Sequence, residues 1–160
     1  MAILVFVETA EGKVKKTSLE AVSYAHAMGD AVTAIAIGEV EKSELESLGT
    51  YGASKVLHAS DERLKEGVIQ AYTSVLAQAM QDEQADILVL AGSAIGTPIA
   101  ATLAARINAS LATNVIGLPE TTSGFIVRKS IFTGKAFSFL EMTNKKKVIA
   151  IKKNAAGIRE

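Results

Sequence analysis

Between Gly92 and Thr97 the chain reads Gly-Ser-Ala-Ile-Gly-Thr, set directly after ADILVLA and directly before PIAATLAAR. A buried strand, a glycine turn and a helix start in that order can hold a phosphate. The free N–H groups of the first helical turn and the positive end of the helix dipole then face the ligand. Gly92 and Gly96 would permit close backbone approach, and Ser93 and Thr97 would supply hydroxyls. Ligands of open parallel sheets sit outside the carboxyl ends of the strands, which is where this loop falls. Against a phosphate site, the segment has neither the Gly-x-Gly-x-x-Gly spacing nor a Gly-Lys-Ser/Thr ending, and it contains no Lys or Arg. The same residues also make an ordinary strand-to-helix corner, with Thr97 as cap and Pro98 in the first turn, where its missing donor costs nothing. Both readings stand at the level of sequence.

Other chemistry is thinner. Glu8 ends the first apolar run, from where an acid can meet a ligand or accept hydrogen bonds from a turn. His26 follows Val22 by four residues and is expected as a hydrogen-bonded packing histidine; His58 lies in a strand, and no Ser-His-Asp order accompanies either. Glu44 and Glu46 project to different sides of a helix and do not pair as acid and base. Met80 and Phe139 are assigned to core or interface. The chain has no cysteine, which removes disulfides, thiolate metal sites and thiol nucleophiles, and two histidines give little for a metal. These residues form no catalytic set.

Of the 160 residues, 49% are apolar but only 5% aromatic, so the core must be built from Ala, Val, Ile and Leu. No apolar run approaches the roughly 20 residues needed to cross a bilayer. MAILVFVE lacks a basic leader and is read as a first strand. Net charge is zero, yet residues 120–160 carry nine Lys or Arg against three Glu, and the residues before them eight against fourteen. That asymmetry suits a steered partner as well as a solvated surface. Nucleic acid is disfavoured, because the basic segment has few aromatics for stacking.

The elements that must position these groups alternate. Residues 2–7 (AILVFV) form a strand buried on both faces, and EGKVKK a polar turn or short ribbon. Thr17 or Ser18 caps a helix to about Met28, with Leu19, Val22 and Ala25 inward and Glu20 outside that stripe. Gly29-Asp30 stops it. AVTAIAI (31–37) is a second strand, residues 43–48 a short helix closed by Gly49, and VLHA (56–59) a third strand. Asp61 caps a helix over 62–83 with Leu64, Val68, Ala71, Val75 and Met80 inward. ILVLA (87–91) is the fourth strand, the helix over 98–107 packs through Ile99, Leu103 and Ile107, and LATNVIGL is a fifth strand. GFIVRKSIF, KAFSFLEM and KKVIAIKK then form extended segments, expected as antiparallel strands at an edge or as a projecting ribbon. The fold class is therefore α/β: one domain over 1–160, an open, mostly parallel sheet with helices on both faces, similar to adenine-nucleotide hydrolases, plus a carboxyl-terminal antiparallel β-ribbon.

Four blocks together resemble the amino-terminal domain of the electron-transfer flavoprotein α subunit. They are ILVFVETAEGKVKKTSLEAVSYA, GASKVLHA, ADILVLAGSAIGTPIAATLAARINASLATNV and RKSIFTGKAFSFLEMTNKKKVIAIKKNAA, in that order and across almost the whole chain. Two places depart from the family pattern: Thr97-Pro98-Ile99 where members often carry a charge, and Lys152-Lys153-Asn154-Ala155-Ala156 in place of Arg-x-x-Ala-Phe. The resemblance implies a scaffold that packs against the β subunit. It implies FAD carried on a second domain whose Ser-Gly-Arg-Gly motif these residues lack, and AMP held by the partner subunit. Electrons would pass from dehydrogenases to an acceptor such as a quinone oxidoreductase, in the cytoplasm or, for a eukaryotic source, the mitochondrial matrix. Ile126, Phe132, Phe137 and Phe139 are the expected contact stretch, with Arg128 and Lys129 at its rim. A free-standing AMP- or ATP-binding domain that uses Gly92, Ser93, Gly96 and Thr97 remains the alternative.

Overall fold

The computed structural model describes residues 2–60 and 69–155. The expected Asp61 cap, with Leu64 and Val68, lies outside the described residues, as does Ala156.

Among the described residues ten strands and four α-helices follow in chain order: β1 (Ala2–Val7), β2 (Thr9–Ala10), β3 (Lys13–Val14), α1 (Lys16–Ala27), β4 (Val32–Ile37), α2 (Lys42–Ser47), β5 (Lys55–Ala59), α3 (Ile69–Asp82), β6 (Ala85–Ala91), α4 (Gly96–Ile107), β7 (Ser110–Val115), β8 (Ile126–Ile131), β9 (Ala136–Glu141) and β10 (Lys147–Ile151). Eight of the strands make one sheet in the order β5-β4-β1-β6-β10-β7-β8-β9, while β2 and β3 pair as a small hairpin. The pairings from β5 to β7 are parallel, and β8 and β9 are antiparallel additions at the β7 edge.

Continuous apolar runs become strands buried on both faces because helices cover both sides. Ile3, Val5 and Val7 face α1, together with Val22 and Ala25, whereas Leu4 and Phe6 face α3 and α4, together with Leu76, Ile99 and Leu103. Phe6 meets the edge of Tyr72 with ring centroids 6.0 Å apart, a favourable aromatic geometry. At α4, Ile99, Ala100, Leu103 and Ala104 are buried, as the spacing predicts. The buried face of α3 is turned from the expected one. Tyr72, Thr73, Leu76, Ala79 and Met80 are buried, while Ala71 and Val75 lie at its margin.

The largest departure is β10. Instead of joining the edge ribbon, KVIAI inserts between β6 and β7, parallel to both, with all five residues buried. The connection from β6 through α4 to β7 skips one strand position, and the chain returns from the β8–β9 hairpin to fill it. Only β8 and β9 form the antiparallel ribbon. Two smaller differences concern helix ends. The short helix runs past Gly49 as a 3-10 turn over Leu48–Tyr51 and closes at Gly52, where φ is 118°. In α1 neither Thr17 nor Ser18 caps, since the flanking residue is Lys15.

Candidate functional site: the corner between β1 and β6

From β1 the chain turns through α1 on one face to β4, and from β6 it turns through α4 on the other face towards β7. β1 and β6 are neighbours, so the sheet reverses its winding between them. That is where open α/β sheets place ligands. Glu8 closes β1 and Gly92 follows β6, so the sequence-derived candidates meet at this crevice.

Ser93 is its centre. Its hydroxyl donates to Glu8 Oε1 and accepts the Gly96 N–H at 2.8 Å, while the Ser93 carbonyl accepts the Thr97 N–H at 3.1 Å. Ser93, not Thr97, therefore satisfies the start of α4, and Thr97 stands exposed in the first turn. Gly96 is required by the chain's own packing. A Cβ there would lie 2.1 Å from the Ala91 carbonyl, 2.9 Å from Ser93 Oγ and 3.0 Å from Glu8 Oε1. Gly92 likewise sits under β10, with its N–H donating to Ile151 O at 2.9 Å and room for a Cβ only 3.1 Å from that oxygen.

Glu8 is 2% exposed and ties the end of β1 to the start of α1 and to the β6–α4 loop. Its N–H donates to Ser18 Oγ (2.8 Å), its carbonyl accepts the Lys15 N–H (3.0 Å), and its Oε2 faces Lys15 Nζ at 3.5 Å. Ser18 and Glu20, expected on or beyond the helix margin, are both buried: Ser18 serves Glu8, and Glu20 Oε1 accepts the Asn154 N–H at 3.2 Å. In front of this network lies a cleft of about 260 Å³ lined by Glu8, Lys15, Thr17, Glu20, Lys152 and Lys153 among others. Sequence reading missed Lys15, Ser18, Glu20 and the lysine pair. The pair directly follows a strand buried on both faces, and such a position at a carboxyl end is the signal that could have pointed to it.

The Glu8 carboxylate stands beside the start of α4, and the cleft in front of it measures about 260 Å³.

Elsewhere, His26 is exposed rather than packed in the core, and its ring root abuts Gly52. His58 is also exposed, with Nε2 at the Gly38 carbonyl. Glu44 accepts the Val14 N–H and Glu46 faces Lys42, so they act separately. Among the described residues no cluster of three His, Asp or Glu could hold a metal. A second cavity, about 180 Å³, is walled by Tyr24, Ile116, Gly117 and Leu118. The Tyr24 hydroxyl donates to Gly117 O at 2.8 Å, and burial pushes its pKa up from 10.

The β8–β9 hairpin is built differently. Val127 and Leu140 turn to the α1 side and join the core, whereas Phe137 and Phe139, with Ser130 and Arg128 respectively opposite them, turn to the other face. Phe132, Phe137 and Phe139 are 75%, 59% and 71% exposed, so they do not cover the domain's own core. Arg128 lies over the Phe137 ring, 5.0 Å from its centroid. Lys129, expected beside Arg128, pairs instead across from Val115 on the α1 side.

An open, mostly parallel sheet covered by helices, with a bare aromatic hairpin at one edge, defines an α/β domain whose own side chains bond to one another at the reversal point. The electron transfer flavoprotein domain profile matches residues 3–159. The chain is 30% identical over 137 residues to the electron transfer flavoprotein subunit alpha of Bacillus subtilis (strain 168), covering 84% of this chain and 42% of that relative. With the subunit alpha of Mycobacterium tuberculosis (strain ATCC 25618 / H37Rv) it shares 32% identity over 133 residues, 82% of this chain and 41% of the other. The acryloyl-CoA reductase electron transfer subunit beta of Anaerotignum propionicum is 30% identical over 113 residues, 68% of this chain and 31% of that one. The chain belongs to the electron transfer flavoprotein family and corresponds to the amino-terminal domain of its α subunit. It spans less than half the length of these curated relatives.

Proposed function

We propose that this domain is an assembly platform. It docks a companion β subunit, and it supports electron transfer through FAD carried outside residues 1–160, with AMP, where present, on the companion. The observation that carries this reading is the exposure of Phe137 and Phe139 on the hairpin face opposite Val127 and Leu140, with Phe132 exposed in the turn that joins the two strands. Apolar side chains grouped on a sheet face mark an interaction surface, and a stable interface takes about 800 Å² from each partner. Arg128, stacked on Phe137, supplies a polar margin of the kind that surrounds such a patch. The Gly92–Thr97 loop then serves as a corner, which agrees with the lack of room for a Cβ at Gly96. Dehydrogenases and a quinone oxidoreductase would be engaged through the whole complex, in the cytoplasm or the mitochondrial matrix. Among the described residues no helix is long and apolar enough to cross a membrane.

Co-purification with an electron-transfer flavoprotein β subunit tests the reading. The expected result is a stoichiometric complex with wild-type chain, loss of it with Phe137→Ala plus Phe139→Ala, and a colourless domain when purified alone. A complex indifferent to both substitutions, or flavin bound to the isolated chain, overturns it.

A further inference from the structure

We propose that Glu8 determines the ligand specificity of the crevice between β1 and β6: its carboxylate is an internal anion that occupies the front of α4 and keeps phosphoryl groups out. This rests on the platform reading above and names the group responsible for it. An anion is favoured beside the start of a twelve-residue helix, and here the chain supplies its own. Glu8 is buried, its Oε1 is bonded to the hydroxyl that caps Gly96, and it would lie within 3.0 Å of any Cβ placed there. Phosphate oxygens would have to enter the same volume against a full negative charge.

The remaining lining fits a phosphate once that charge is gone. Lys15, Lys152 and Lys153 border the cleft, Thr17 offers a hydroxyl, and Glu20 is engaged by the Asn154 N–H. Wild-type charges there are three cationic against two acidic side chains. Neutralising Glu8 leaves three against one beside the positive end of α4. A purely structural Glu8 would make its variants weaker folds and nothing more. An internal anion makes them phosphate binders.

The test uses the 160-residue chain as wild type, Glu8→Gln and Glu8→Asp, titrated with inorganic phosphate and with AMP by calorimetry at low ionic strength, and melted with and without each ligand. Glu8→Gln keeps the shape and the acceptor for Ser93 but removes the charge. It should bind phosphate at least about tenfold more tightly than wild type, while Glu8→Asp stays as silent as wild type. If Glu8→Gln is unfolded at 25 °C, phosphate-driven refolding at constant ionic strength counts as the gain, and its absence as failure. Silence of Glu8→Gln overturns the proposal and leaves the platform reading intact. Tight AMP binding by wild type overturns the platform reading itself.

Discussion

The crevice at Glu8 and the hairpin at Phe137, the two regions the sequence singled out, are finished in opposite ways. At the crevice the buried polar side chains have internal partners: Ser93 serves both Glu8 and Gly96, Ser18 serves Glu8, and Glu20 serves Asn154. At the hairpin three phenylalanines stand in solvent with a single arginine stacked across one of them. Burying polar groups without partners costs about 1–3 kcal/mol each, so a satisfied crevice gains little by opening to a ligand. Exposed aromatic surface gains free energy when it is covered, at about 25 cal/mol per Å². Concavity alone is therefore a poor guide here. At the pocketed end of the sheet the buried polar side chains bond to one another, and at the flat edge the aromatic side chains are exposed.

The largest expected effect tests how tightly the crevice is closed. Gly96→Ala forces a Cβ against the Ala91 carbonyl at 2.1 Å, backbone that cannot swing aside. Overpacking of that severity should cost about 3 kcal/mol or more. Gly92→Ala, with 3.1 Å to Ile151 O, should cost only about 1 kcal/mol. Urea unfolding of both variants measures the gap. If Gly96→Ala is as stable as wild type, the corner is looser than its contacts imply.

Next comes Ser18→Ala, which strands the buried Glu8 N–H. A loss of about 1–2 kcal/mol in urea is expected, well above the effect of any hairpin aromatic. On the hairpin the pattern inverts. Phe139→Ala, 71% exposed, should change stability by no more than about 0.5 kcal/mol while weakening capture of a β subunit by more than about 1 kcal/mol, roughly fivefold. A stability loss larger than the binding loss would mean that Phe139 belongs to the fold and not to an interface.

The sequence made most of this division legible. Residues 2–7, 31–37 and 87–91 declare themselves as strands through unbroken apolar runs, and the glycine loop was located at the correct sheet end. Two kinds of information were hidden. One was pairing partner: KVIAI has the same unbroken character as β1, a mark of burial on both faces, but the turn signals around it suggested an edge ribbon, and only the gap left by the α4 crossover assigns it to the centre. The other was polar burial. Ser18 and Glu20 follow no apolar period, because they are buried by what they bond, Glu8 and the chain at Asn154, which are 10 and 134 residues away. Periodicity reports faces of elements; it carries no record of contacts between their ends.

Tyr24 links the two regions, and its hydroxyl makes a single bond between them. Its hydroxyl, on the helix that covers one side of the crevice, holds Gly117 in the segment that leads from β7 towards the hairpin. Tyr24→Phe removes that bond and should cost about 1 kcal/mol near neutrality. Burial raises the Tyr24 pKa above 10, and that of Tyr72 in the same direction. Unfolded tyrosine therefore loses its proton first, the unfolded state binds fewer protons, and stability falls as pH rises past about 10. In the Phe variant only Tyr72 still contributes from this pair, so stability should fall less between about pH 8 and about pH 10.5 than in wild type. Urea midpoints at the two pH values decide it. An equal fall in both proteins would mean that Tyr24 reaches solvent in the native state, and that the hairpin's base is less firmly tied to the crevice than the 2.8 Å bond implies.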